Sequence, residues 1–252
     1  MNWFSPSKTE KEAPIAEERR GKFIVIDGTD GSGKATQTNL LIDTLKDEGY
    51  DVAMADFPQY GNRSASMVED YLINNKYGDV NPYAASTFYA IDRFDASFQI
   101  RKWLGEGKIV ISNRYVTANA GHQGGKITDD HERLKFFRWL HHLEYVIFGI
   151  PRPDLNIILR VPAEVAQELA KRKWEEQKEY MNGKKTDIHE ADINHLKNAE
   201  RTYLQIATLF PNTKLIECIQ GDRLLSPQSV HNKVWELVRR IALKNRLPVL
   251  ED

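Results

Sequence analysis

One stretch, Asp27-Gly28-Thr29-Asp30-Gly31-Ser32-Gly33-Lys34-Ala35-Thr36-Gln37, carries the pattern best suited to chemistry. Gly28, Gly33 and Lys34 stand at the G-x-x-x-x-G-K spacing of a phosphate-binding loop. Glycines let successive backbone N–H groups turn inward on a phosphate, and a helix N-terminus behind them adds the positive end of its dipole. Lys34 supplies a charge for β- and γ-phosphates. A strand-to-helix turn needing glycine for geometry alone would explain the glycines but not the lysine. One position departs from the pattern. Ala35 follows Lys34 where a Ser or Thr hydroxyl would ligate Mg²⁺, and Thr36 lies about 100° further round a helix. Any metal is therefore expected to be held by phosphates, waters and carboxylates.

The elements that must position this loop are legible as well. Apolar runs at 23–26, 52–55, 109–112, 157–161 and 215–218 are rich in β-branched residues. They do not alternate with polar residues, as strands covered on both faces should not. Between them lie segments of helical periodicity. Leu40, Leu41 and Leu45 precede the helix-ending Gly49; Phe136, Phe137, Leu140 and Leu143 form a second stripe; Val230, Val234, Leu237, Val238 and Ile241 form a third. Strands alternating with helices predict right-handed crossovers and a three-layer α/β sandwich on a five-stranded parallel sheet. Residues 171–192 are charged, poor in large apolar side chains and include Gly183, so they read as a mobile lid. Residues 1–20 read as a flexible polar tail before one domain over 21–252.

Composition narrows the function classes. A chain of 252 residues with 41% hydrophobic and 28% charged residues suits one large domain with a solvated surface. The formal charge of −1 gives no global basic field to hold nucleic acid, so an anion must be gripped locally. The single cysteine, Cys218, excludes a disulfide within the chain and a thiolate zinc set, and it reads as a buried structural thiol. No apolar stretch approaches the ~20 residues of a membrane span. The N-terminus fits neither a signal peptide nor an acid-poor transit peptide, so a cytoplasmic protein is expected.

Together with the loop, four further segments resemble thymidylate kinases. They are Phe57-Pro58-Gln59-Tyr60; Tyr89-Ala90-Ile91-Asp92-Arg93; Asn113-Arg114-Tyr115 followed by Asn119 and His122-Gln123; and Glu144 with Gly149-Ile150-Pro151-Arg152-Pro153-Asp154-Leu155. The resemblance spans nearly all of residues 22–243. It implies the P-loop fold of nucleoside-monophosphate kinases, usually a homodimer, with ATP and dTMP as substrates and Mg²⁺ as cofactor. ATP would lie on Gly28, Thr29, Asp30, Gly31, Ser32, Gly33, Lys34, Ala35 and Thr36. The resemblance places dTMP against Asp30, Phe57, Tyr60, Tyr89, Arg93, Arg114, Asn119, His122 and Gln123. Arg93 would reach a thymine carbonyl, and Tyr89, one helical turn before it, would stack on the base. Phe88 is expected in a core aromatic stripe instead. Asn119 would face the pyrimidine edge and His122 the sugar. Arg114 would bridge donor and acceptor phosphates, a task suited to a guanidinium fork. Asp30 matches the family's loop acid; beside phosphates it would be repulsive without a cation, which favours a metal-linked role.

Several positions depart from the family. Gln59 stands where Arg is common, His122 where Tyr is common, and Asn113 and Arg160 where Asp is common. The loop holds no arginine, so catalytic positive charge is expected from the lid, where Lys171, Arg172, Lys173, Lys184 and Lys185 are available and Arg172 aligns best. The run Asp187-Ile188-His189-Glu190-Ala191-Asp192 has superficial metal spacing, but the family's junction is acidic and acts as a helix cap. The alternatives to a dTMP kinase are a kinase for another pyrimidine nucleotide or nucleoside, and a degenerate nucleotide-binding protein without turnover.

Overall fold

The computed structural model describes residues 21–169, 193–221 and 223–244. The expected tail, the expected lid with Arg172 and the run 187–192 lie outside the described residues.

Strand β1 (Lys22–Gly28) is followed by helix α1 (Lys34–Asp47) and strand β2 (Val52–Asp56). Helices α2 (Ser66–Leu72) and α3 (Pro82–Gly105) lead to strand β3 (Ile109–Asn113). Helix α4 (Val116–Gly124) and helix α5 (Asp130–His142), which continues as a π-helical turn over Leu143–Ile147, lead to strand β4 (Leu155–Arg160). A helical stretch at 163–169 is α6. Helix α7 (Ile193–Leu209), strand β5 (Thr213–Glu217) and helix α8 (Pro227–Leu237) complete the layers. A small antiparallel pairing of Ile219–Gln220 with Arg223–Leu224 lies between β5 and α8.

The five strands pair in the order β2-β3-β1-β4-β5, all parallel. Strand β1 shows why its sequence does not alternate in polarity. Phe23 and Val25 enter one core with Ile100 of α3, Phe136 and Phe137 of α5 and Ile206 of α7. Ile24 and Ile26 enter the opposite core with Leu41 and Leu45 of α1 and Val230 and Val234 of α8. Both faces are covered, so both residue parities must be apolar. Most residues of the three helical stripes read in the sequence supply these contacts, Leu40 and Leu143 excepted, and the three-layer sandwich follows from them.

Helix starts are set by local chemistry. Asn81 accepts from Tyr83 N at 2.9 Å ahead of Pro82, and Asp129 accepts from Glu132 N at 2.9 Å. Each satisfies an N–H that the first helical turn leaves without a partner. The order of strands puts β1 and β3 side by side at the centre, so the loops leaving their carboxyl ends face a common crevice.

Candidate active site

The phosphate loop leaves β1 along a backbone that glycine alone tolerates. Gly31 has φ +81°, and a Cβ there would stand 2.0 Å from Ala166 O on α6. Gly28 has φ +143°, with Leu159 O of β4 at 2.4 Å from the place of its Cβ. The loop is therefore pressed against neighbouring backbone, and substitution would push it out of place.

Lys34 folds back on this loop. Its Nζ donates to Gly28 O at 3.0 Å and Thr29 O at 2.8 Å, and meets Asp30 Oδ1 at 3.4 Å. Burial, followed by repulsion from Arg114, pushes its ammonium down to about 8, although Asp30 and Asp27 pull the other way. Asp30 is itself buried, which disfavours its charge, but Arg114 and Lys34 outweigh that and hold the carboxyl well below the usual range. Arg114 pairs directly with Asp30. It follows β3 at φ +65°, with its N–H donating to Ile26 O at 2.9 Å. That bond ties the arginine to the strand that delivers the phosphate loop.

Two cavities meet at this ion pair. One is lined by Phe57, Tyr89, Asp92, Arg93, Asn119, His122 and Gln123 together with Asp30 and Arg114. The other, of about 450 Å³, runs over Gly31, Ser32, Gly33, Lys34, Ala35 and Thr36 towards Cys218, Leu225 and Val230, again with Asp30 and Arg114. Asp30 and Arg114 are the residues shared by the two linings.

Most of the candidate residues thus assemble as two adjoining sets. Gly28 and Thr29 lie buried beneath the second cavity, where their carbonyls receive Lys34. Tyr60 is different. It is 49% exposed on the loop after β2 and does not line the first cavity, so the wall expected there is formed by Phe57, packed 5.7 Å from the Tyr115 ring. The loop turns Tyr60 outward because Asp92 anchors the neighbouring residue: it accepts from Gln59 N at 2.9 Å, Gln59 Nε2 at 3.1 Å and Ser64 Oγ at 2.9 Å. Gln59 is consumed by that anchor. Phe88 packs in a satellite core with Tyr71, as its aromatic stripe implied.

The contacts of four groups in or beside the two cavities were not foreseen from the sequence. Asp92 and Glu144 lay within the segments singled out, and buried carboxylates beside an arginine were the available signal. Glu144 accepts from Arg93 Nε at 2.7 Å and Nη2 at 2.5 Å. Asn113 donates from Nδ2 to Asp56 Oδ1 at 2.8 Å, which leaves its buried Oδ1 without a hydrogen-bond partner among the described residues. His195 on α7 lies 3.2 Å from His122, across a separation that no motif spans. Burial drives His122 well below its ordinary value, so the ring is neutral at pH 7.

A glycine loop with its lysine at the carboxyl end of β1, on a parallel sheet wrapped by helices, defines a P-loop nucleotide-binding α/β protein. The sequence signature described as thymidylate kinase matches residues 26–220. The chain is 30% identical over 232 residues to the probable thymidylate kinase of Thermococcus onnurineus, covering 88% of this chain and 99% of that one. It is 29% identical over 189 residues to the thymidylate kinase of Mycobacterium tuberculosis, covering 73% and 85%. The solved thymidylate kinase of Candida albicans superposes with a TM-score of 0.67 at 21% identity, covering 88% of this chain and 93% of that one. The chain belongs to the thymidylate kinase family.

Proposed function

We propose that the chain transfers the γ-phosphoryl group of ATP to dTMP, giving dTDP and ADP. The observation that carries this reading is the junction of the two cavities at Asp30 and Arg114. A phosphoryl group can pass between sites only where donor and acceptor phosphates come into line, and a guanidinium at that point bridges both. The glycine loop and Lys34 hold the donor, and Arg114 steadies the charge that spreads over the transferring oxygens. In the step, an oxygen of the dTMP phosphate bonds to the γ-phosphorus as the bond to the β-phosphate bridging oxygen breaks, leaving ADP. Arg172 is proposed to add positive charge from the lid.

The first cavity supports a thymine acceptor. Asn119 Nδ2 donates to Ser86 O at 3.1 Å, so its buried Oδ1, without a partner among the described residues, is left as an acceptor. Both amide atoms of Gln123 are also buried without a partner among the described residues, and Arg93 can only donate. Thymine presents carbonyl acceptors flanking an N–H donor, which complements this set. Cytosine carries an amino group and a lone pair in the corresponding places and leaves the polar groups of the site unmatched. Tyr89 offers the ring for stacking.

The residues also suit Mg²⁺, which takes oxygen ligands. Asp30 offers a carboxylate and Asn113 its orphaned Oδ1, both lining the donor cavity. Bound there, Mg²⁺ would neutralise charge on the β- and γ-phosphates.

Homodimerisation belongs to the same reading. Ile91, Phe94 and Phe98 recur along one side of α3, and Phe98 is 63% exposed. Phe94 packs 5.2 Å from Phe148, which joins this face to the π-helical turn, where Ile147 is 63% exposed. A contiguous apolar patch on a surface calls for a covering, and a second copy can bury it self-complementarily. A cytoplasmic setting is part of the proposal, because ATP is the donor.

An ADP-release assay with ATP and Mg²⁺ over a panel of acceptors tests the function. Turnover is expected with dTMP and, more weakly, with dUMP, and at least about a hundredfold less with dCMP. Equal use of dCMP and dTMP would refute the acceptor assignment.

A further inference from the structure

Asp27, the residue before Gly28 at the end of β1, is fully buried and lines neither cavity. Its carboxylate accepts three hydrogen bonds. Thr117 Oγ1 of α4 donates to Oδ2 at 2.7 Å, and Tyr203 OH of α7 donates to Oδ1 at 2.8 Å. Gly28 N, where the phosphate loop begins, donates to Oδ1 at 2.8 Å. Burial pushes the carboxyl up, and the three donors together with the Lys34 charge oppose it.

The two helices held here have little slack. Helix α4 approaches α7 so closely that a Cβ on Gly121 would stand 2.6 Å from the Tyr203 ring. The same α4 carries Asn119, His122 and Gln123 into the acceptor cavity. The neighbours of Asp27 in sequence hold the rest of the site. Ile26 O accepts from Arg114 N at 2.9 Å, and Gly28 O accepts from Lys34 Nζ at 3.0 Å. Successive residues of β1 thus tie down the arginine shared by the two cavities, the acceptor wall and the donor lysine. If packing were the only requirement, an apolar side chain would fill the place of Asp27 without the cost of burying a charge. A carboxylate with directional acceptors instead fixes the elements relative to one another.

Building on the kinase reading, we infer that Asp27 is a positioning residue for phosphoryl transfer. Through Thr117 and Tyr203 it holds the acceptor wall of α4 in register with the phosphate loop. In-line transfer depends on that register, because a misplacement of about 1 Å costs about a hundredfold in rate. Binding of either nucleotide alone depends on its own cavity and not on the register.

Thr117→Val and Tyr203→Phe each keep the shape and remove one donor. In initial-rate assays each is expected to lower kcat about tenfold, while KM for ATP and for dTMP stays within about twofold. Thr117→Ser, which restores the hydroxyl, should recover kcat. A dinucleotide joining adenosine and thymidine 5′-to-5′ through five phosphates, one more than ATP and dTMP carry together, tests the register without turnover. A linked ligand gains affinity only when both sites are engaged at once. In calorimetry the two variants should bind it about tenfold more weakly than the wild type, and bind ADP and dTMP alone unchanged. Equal loss for the linked and the single nucleotides, or no loss for the linked one, would overturn the inference. So would a rise in KM at unchanged kcat, or a Thr117→Ser chain that behaves as Thr117→Val does. A wild-type chain that forms no dTDP, with variants that still lose the linked ligand selectively, would sink the kinase reading and leave this inference standing.

Discussion

Glu144 holds Arg93 by a two-pronged ion pair, Nε to Oε2 at 2.7 Å and Nη2 to Oε1 at 2.5 Å, with both side chains buried. The arginine that faces the acceptor cavity is therefore oriented from behind by a carboxylate on the π-helical turn. Burial disfavours the guanidinium charge, but Glu144 more than compensates and Arg93 stays firmly protonated. Two N–H groups on one edge are committed to the carboxylate, while Nη1 donates to Tyr115 O at 3.5 Å and the arginine lines the acceptor cavity.

Removing one partner of a buried pair strands the other's charge, at a typical cost of about 3–5 kcal/mol. Glu144→Gln should lower unfolding stability by an amount at the lower end of that range, since the amide retains one acceptor. It should also weaken dTMP binding more than ATP binding. Urea unfolding and calorimetry on the same variant check both. Unchanged dTMP affinity would separate Glu144 from the acceptor site.

The orphaned Oδ1 of Asn113 predicts a metal phenotype. Asn113→Asp places a carboxylate at the same point and should lower the Mg²⁺ concentration giving half-maximal activity. Asn113→Ala should raise it severalfold. A Mg²⁺ titration of initial rate distinguishes these outcomes, and an identical midpoint in all three chains would remove Asn113 from the metal site.

Stability should depend on pH through His141. Burial, and then the neighbouring Arg152, push its imidazole down to about 4 from an ordinary value of 6.5. Between those values the unfolded chain binds more protons than the folded one. The contribution is thus fully present above pH 6.5 and is lost as pH falls towards 4. With allowance for partial exposure it amounts to about 1 kcal/mol. His141→Gln should flatten the fall in unfolding free energy across this window, measured by denaturant titration at a series of pH values.

The apolar patch on α3 predicts an oligomeric phenotype. Phe98→Glu places a charge where burial would be expensive, and light scattering should report a monomer from a wild-type dimer. A monomeric wild-type chain would contradict the homodimer proposal.

Much of this arrangement was legible in the residues. The apolar runs located every strand of the main sheet, because strands covered on both faces cannot alternate in polarity. Their ends were less clear. Strand β5 starts at Thr213 rather than 215, since an edge strand carries polar residues such as the exposed Lys214. Spacing alone identified the phosphate loop, because its chemistry is local and backbone-based. Side-chain pairings across the fold were hidden. Nothing near Arg93 indicates that Glu144 will orient it, and nothing near His122 indicates His195. The outward direction of Tyr60 was hidden for the same reason: the course of its loop depends on hydrogen bonds from Gln59 to Asp92 on a different element.

The most direct test of the central claim is product formation. The wild-type chain should be incubated with ATP, Mg²⁺ and dTMP and resolved by anion-exchange chromatography, beside Lys34→Met. The account predicts dTDP and ADP in equal amounts from the wild type. It also predicts at least a hundredfold lower rate from the variant, which retains most of the side-chain volume without the charge. ADP without dTDP, or equal dTDP from both chains, would contradict it.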